Sequence, residues 1–252
     1  MKLNIVRAGT GIQWVKLGIQ TFFRQPLALA GLFFLYMAAV ILVAQIPFVG
    51  VFIGGLLVPA ATLGLMAATA EATKGRFPMP SVLISAFRAG RQRLRAMLVL
   101  GLLYTAGSVA VTALASLAGG SPTGTGTELD PAMLLALALH TPLFLLFWHA
   151  PALVHWHGVS PVKSLFFSAV ACLRNFGAMA LYGLAWLAVF LGVGTLLGLV
   201  GGMIGGASMA RAVMMPTALL MAAMFSTSIY FTFRDSFAAT DGEQPQPPGD
   251  TP

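Results

Sequence analysis

Long apolar runs alternate with short polar connections along this chain. Six runs, at about 27–46, 49–70, 96–118, 132–157, 178–204 and 210–232, are nearly free of charge. About 20 apolar residues rising 1.5 Å each cross roughly 30 Å of hydrocarbon. Each run therefore predicts a membrane-spanning helix. Only a turn around Pro47 separates the first two, which predicts a helical hairpin. The fourth run holds Pro142 and Pro151 and is expected to kink or tilt. Runs two and six hold Pro59 and Pro216, and neighbouring helices can satisfy the carbonyls these prolines free.

Three of the connections change period. In GIQWVKLGIQTFFRQ, Gln13, Lys16, Gln20 and Arg24 recur every three or four residues, with Ile12, Val15, Ile19 and Phe22 or Phe23 opposite. That spacing predicts an amphipathic helix over 11–24, lying in the headgroup layer. PSVLISAFRAGRQRLR repeats it over 80–95, with Ser81, Ser85, Arg88, Arg91 and Arg95 on one side. SPVKSLFFSAVACLRN does so over 160–175, with Ser160 as N-cap and Pro161 at the first helical position. Each amphipathic piece leads into two spans, the second bearing proline. The chain thus reads as three degenerate repeats, a pattern that does not by itself mean transport. The segment 119–131 is expected as a small polar loop, and the proline-rich, acidic tail 238–252 as disordered.

Composition agrees with this pattern. Of 252 residues 58% are hydrophobic and 8% charged, against about 25% charged in soluble domains. So few charges cannot cover a water-facing surface. The net charge of +7 sorts by position. Of the 14 basic residues all but Arg211 fall in the amino-terminal arm, the second and fourth connections and the start of the tail. Arg211 shares the other side with Glu128 and Asp130. The positive-inside rule then places both termini in the cytoplasm, and an odd number of spans would break the sorting. The expected fold is all-α, with six transmembrane helices and three interfacial ones forming a single membrane domain over 1–237. Residues 1–16 lack the apolar core and cleavage site of a signal peptide, so the first span is expected to direct insertion. Cys172 is the single cysteine, which excludes an intrachain disulfide.

Candidate chemistry is sparse. The stretch FWHAPALVHWHGVSP places His149, His155 and His157 among aromatics and prolines. A metal or haem site needs three or four converging ligands, and no Cys, Asp or Glu lies close by in sequence. The preferred reading puts His155, Trp156 and His157 at the interface, where amphipathic rings are favoured. His149 and His140 then bond to carbonyls freed by proline. No metal and no cofactor is expected. Gly194, Gly198, Gly202 and Gly206 form a ladder of four-residue steps, and Gly50 and Gly54 repeat the step. Such small residues let helices approach closely, within the chain or across a homodimer seam. Arg24, Arg88, Arg91, Arg95, Lys163 and Arg174 are expected to contact lipid headgroups. Nucleic-acid binding would need a separable soluble domain. No carboxylate lies mid-span, which argues against a carrier with a buried acid. No hydrolase, zinc-protease, phosphate-loop or dinucleotide motif is present.

The runs GIQWVKLGIQTFFRQPLALAGLFFLYM, APALVHWHGVSPVKSLFFSAVACLRNF and YFTFRDSF resemble a proteobacterial inner-membrane protein family of unknown function. The resemblance covers about residues 10–237. More distantly, the plan is similar to the membrane domain of some glycerophosphodiester phosphodiesterases, whose chemistry resides in a separate soluble domain. The resemblance implies a bacterial inner-membrane protein, supplies no catalytic residues, and implies apolar residues at the positions of His149 and His155. The expected function is non-enzymatic: a scaffold or envelope-associated factor acting through membrane lipids, a membrane protein partner or a second copy. The alternative is a small-molecule or lipid transporter or export component, with His140, Thr141, Tyr104 or Ser226 lining a polar path. A haem or metal protein is the third reading.

Overall fold

The computed structural model describes residues 2–47, 49–117 and 131–238. Most of the expected loop, with Glu128 and Asp130, and the tail from residue 239 lie outside the described residues.

The described chain is helical apart from one short strand pair. A strand β1 (Lys2–Leu3) precedes α1 (Thr10–Arg24), α2 (Pro26–Ala44) and α3 (Gly50–Thr73). A 3-10 turn (Pro80–Ile84) and α4 (Ser85–Arg88) lead to α5 (Arg91–Leu117) and α6 (Pro131–Phe147). Then come α7 (Ala150–His157), α8 (Pro161–Arg174), α9 (Phe176–Ser236) and β2 (Phe237–Ala238). Among the described residues five helical stretches are long and apolar enough to cross a membrane: Pro26–Ala44, Phe52–Thr73, Arg91–Leu117, Leu134–His157 and Phe176–Ser236.

Six stretches were expected, and the difference lies in α9, which merges the last two. A straight helix of its 61 residues would reach about 90 Å, three times the hydrocarbon thickness. It does not run straight. Gly205 (φ −141°) and Gly206 (φ +69°, ψ −163°) leave helical geometry, and the positive φ is one that glycine tolerates without steric penalty. The chain doubles back there, so that a Cβ on Gly201 would stand 3.0 Å from Ala210 Cα. Further along the two limbs, the Tyr182 and Ser228 hydroxyls are 2.6 Å apart and Trp186 Nε1 donates to Ser228 Oγ at 3.1 Å.

The core sits towards the end of the bundle where β1 and β2 meet. There Trp14, Tyr182, Trp186 and Phe231 are buried together, and Phe22 packs with Leu29, Leu65, Ala68 and Ala223. Towards the opposite end the spans expose their apolar side chains, such as Leu42, Leu117, Met203 and Ile204. Hydrocarbon as solvent makes that exposure cheap.

The connections depart from free interfacial helices. α1 turns its inner face to protein: Trp14, Val15 and Phe22 are buried, while Gln13, Lys16, Gln20 and Arg24 point outward. Two glycines allow this approach. A Cβ on Gly11 would stand 2.1 Å from Ala178 O, and one on Gly18 would stand 2.4 Å from Ser228 Cβ. The 80–95 segment is not one helix. Gly90, at φ +93°, ends it after α4, so Arg91, Arg93 and Arg95 open the span α5. The fourth span breaks at Trp148 and His149, because Pro151 has no N–H to continue the ladder. Ser160 holds the N-cap position of α8 with extended backbone but makes no side-chain cap bond. β1 pairs antiparallel with β2, Lys2 opposite Ala238 and Leu3 opposite Phe237. Asn175 extends that clasp: its Oδ1 accepts from Val6 N at 2.8 Å and its Nδ2 donates to Asn4 O at 3.0 Å.

Candidate functional site

A polar cavity of about 830 Å³ opens at the basic end. Its walls come from five elements: α3 (Ala67, Ala70, Glu71), Lys74 just beyond it, the 80–89 segment, Arg93 of α5, His155 and Trp156 of α7, and Tyr230 of α9. Three glycines shape one wall. Gly75, at φ +73°, lets the chain leave α3 and Gly90 ends α4. Gly64 admits the backbone of Leu83, which a Cβ there would meet at 2.7 Å. The 80–88 segment is thereby pressed onto α3 with Ser81, Ser85 and Arg88 facing the cavity. Its apolar residues Pro80, Leu83, Ile84 and Phe87 line a second, apolar cleft of about 280 Å³ shared with α2 and α3.

Charge in the cavity is predominantly positive. Lys74, Arg88 and Arg93 line it against one carboxylate, Glu71. That carboxylate is already engaged: Arg76 Nη2 donates to its Oε1 at 2.7 Å, Arg76 Nε donates to Oε2, and Lys74 Nζ lies 3.9 Å away. The hydrogen bond from Arg76 raises the pKa of that guanidinium further. Two of the lining residues, Ser85 and His155, each bury a polar atom (Oγ and Nδ1) without a hydrogen-bond partner.

His149 lies elsewhere, fully buried between α7, α8 and α9. The Thr232 hydroxyl donates to Ile229 O at 2.7 Å, so it accepts from Trp148 Nε1 at 3.0 Å and from His149 Nε2 at 3.2 Å. That assigns the proton to Nε2 and leaves Nδ1 to face the Cys172 thiol at 3.8 Å. Ser168 Oγ accepts from His149 N and donates to Leu145 O, closing the break between α6 and α7. Burial pushes the Cys172 thiol up to about 12. The pair is a neutral thiol against a neutral imidazole, a packing arrangement rather than an ion pair.

The chain is 39% identical over 265 aligned residues to the "Probable inner membrane protein" of Burkholderia thailandensis, and the alignment covers 98% of each chain. The chain belongs to the family of that inner membrane protein. No family profile matches it, and no solved structure does. The likeness to the membrane domain of glycerophosphodiester phosphodiesterases finds no support in these comparisons.

In this inner-membrane family member the three candidate histidines do not converge, and His149 meets the Thr232 hydroxyl where a carbonyl freed by proline was expected. His149 bonds within the core, His155 faces the cavity, and His157 stacks on Phe233 at 5.8 Å between ring centroids. Among the described residues no group of three or more His, Cys, Asp or Glu is placed to hold a metal ion. The glycine ladder makes no close packing within the chain. Nothing lies within 4 Å of a Cβ built on Gly194, Gly202 or Gly54, and Gly198 makes only an ordinary 3.9 Å contact with Met214. Gly194 and Gly202 meet open space, and Gly54 borders the apolar cleft between α2 and α3. Gly50 does pack, with a Cβ there meeting Val43 O at 2.3 Å inside the α2–α3 turn. The close approaches between helices occur at single glycines, Gly11, Gly18, Gly55 and Gly101, which have no ladder around them. Of the expected headgroup contacts Arg88 lines the cavity, whereas Arg24, Arg91, Arg95, Lys163 and Arg174 are exposed around the same end. His140 and Thr141 turn back on their own helix, to Ala136 O at 2.8 Å and Leu137 O at 2.9 Å, and Tyr104 packs edge-on against Phe147. Sequence reasoning missed Lys74, Arg93, Ser85 and Tyr230 as partners of Arg88 and His155. The polar side shared by Ser81, Ser85 and Arg88 was its only signal.

Proposed function

We propose that this multi-pass protein crosses the inner membrane six times, with both termini and the basic end at the cytoplasmic face. There it acts as a non-enzymatic scaffold that grips the anionic leaflet. The carrying observation is the collar of exposed basic side chains, Arg24, Arg91, Arg95, Lys163 and Arg174, around the end where the core and the β1–β2 pair gather. Basic residues near an anionic surface contribute about 1 kcal/mol each, and Arg211, beside the Gly205–Gly206 reversal, is the exception. The two limbs of α9 count as separate crossings in this reading. The exposed polar faces of α1 and α8 hold the depth of the bundle at that interface.

Reconstitution into nanodiscs of mixed phosphatidylglycerol and phosphatidylcholine tests it. The surrounding lipid should be enriched in phosphatidylglycerol. Replacing the five collar residues by Gln should abolish the enrichment while the protein stays folded. Equal lipid composition around both proteins would overturn the reading.

A further inference from the structure

We propose that the polar cavity between α3, α4, α5, α7 and α9 is a binding site for one phosphate group, carried by a ligand that enters from the basic end. The proposal rests on the leaflet reading only for which side the cavity faces. It concerns one open pocket with a defined lining, whereas the collar is a diffuse surface.

Three independent features converge on that chemistry. Lys74, Arg88 and Arg93 reach the cavity from three different elements. A guanidinium offers paired donors that match phosphate oxygens, and an ammonium adds a compact charge. The one carboxylate on the wall, Glu71, is held by two donors of Arg76, which lies outside the lining, so it is tied up as a competitor for the ligand. Ser85 and His155, which line the same cavity, each bury a polar atom without a partner. An unmet buried polar group carries a penalty, and a turn of either side chain towards the cavity would let a phosphate oxygen relieve it, accepting from the Ser85 hydroxyl or the imidazole N–H. The volume, about 830 Å³, is that of a small-ligand pocket.

Two sources carry this group: the headgroup of a phospholipid and a free phosphate compound. The apolar cleft on the opposite face of the 80–88 segment, lined by Tyr36, Leu57, Ala61, Leu83 and Phe87, offers hydrocarbon a place beside the cavity. The lipid source is therefore the stronger expectation.

The test uses the full chain, purified and stripped of loosely held lipid. Native mass spectrometry follows binding of phosphatidylglycerol in one arm. In the other, titration with inorganic phosphate follows the protein in phosphatidylcholine nanodiscs. One equivalent of phosphatidylglycerol should stay bound. Arg88→Gln with Arg93→Gln should weaken its retention by about tenfold or more, and Ser85→Ala should weaken it separately. Arg91→Gln with Arg95→Gln should leave retention unchanged, because those side chains do not line the cavity. Saturable binding of inorganic phosphate with the same variant pattern would support the site and assign it to a free anion. No saturable binding in either arm, or retention that falls equally with the Arg91 and Arg95 variants, overturns the proposal. No enrichment around the wild-type protein, with retention of the single bound lipid, would defeat the leaflet reading and leave this site standing.

Discussion

The Trp14 indole donates a hydrogen bond to Asp235 Oδ2 at 2.9 Å, tying the first helix of the chain to the end of the last. Trp14 is fully buried, so the N–H has no water to fall back on. Asp235 also accepts from Arg234 Nε at 2.7 Å, and that guanidinium lies 4.9 Å over the Phe231 ring. Asp235→Ala should therefore cost about 1–3 kcal/mol by stranding the indole, while Asp235→Asn keeps an acceptor and should cost less. Thermal unfolding in detergent reads the difference. Equal stability of wild type and Asp235→Ala would contradict it.

The glycines make a sharper contrast. Gly11→Ala and Gly18→Ala force a methyl into Ala178 and Ser228 backbone or Cβ atoms, and overpacking of this kind costs about 1–3 kcal/mol. Gly194→Ala and Gly202→Ala meet open space in helical backbone. They should stabilise by about 0.5–1 kcal/mol, the usual gain of alanine over glycine in a helix. Opposite signs in one unfolding assay are the expected outcome. Destabilisation at Gly194 would restore the ladder as a seam.

Ser228 holds the α9 hairpin at its base. Its hydroxyl meets both Tyr182 Oη and Trp186 Nε1 and also donates to Phe225 O at 2.6 Å. Ser228→Ala removes the acceptor of two buried groups and should cost about 1–3 kcal/mol. Tyr182→Phe in the same background should recover part of that loss, since it removes one stranded hydroxyl. A double-mutant cycle measures the recovery, and strict additivity would refute the shared bond.

Cys172 predicts a pH response. Its folded thiol ionises near 12, against 9.0 for the exposed group, because burial disfavours the thiolate. Below pH 9 both states keep the proton and stability is flat. Between pH 9 and 12 only the unfolded state releases it, so stability falls. Cys172→Ala should remove this component of the alkaline decline. Maleimide should fail to modify the folded protein at pH 8 and react once it unfolds.

The spans were legible because hydrocarbon thickness writes itself into the sequence as runs of about twenty apolar residues. Charge sorting pointed to a reversal between 204 and 210, and the reversal lies at Gly205–Gly206. The cavity was not legible in the same way. Lys74, Arg88, Arg93, His155 and Tyr230 come from four separate helices and a connection, and no local period links them. The glycine ladder did not reveal packing within the chain, because four-residue steps of small residues arise on an open helix face as readily as on a packed one. Gly11, Gly18 and Gly64 are isolated, and only the crossing of a second chain segment reveals why they are small. Cys172 meets His149 across 23 residues of sequence, a pairing set by the packing of α8 against the α6–α7 break.

Sidedness carries the whole account, and cysteine accessibility in intact cells measures it most directly. In a Cys172→Ala background, Gln45→Cys and Ser208→Cys should react with a membrane-impermeant maleimide from outside. Gln92→Cys and Ser160→Cys should react only after the membrane is opened. Labelling of Ser160→Cys and Ser208→Cys from the same side would contradict it.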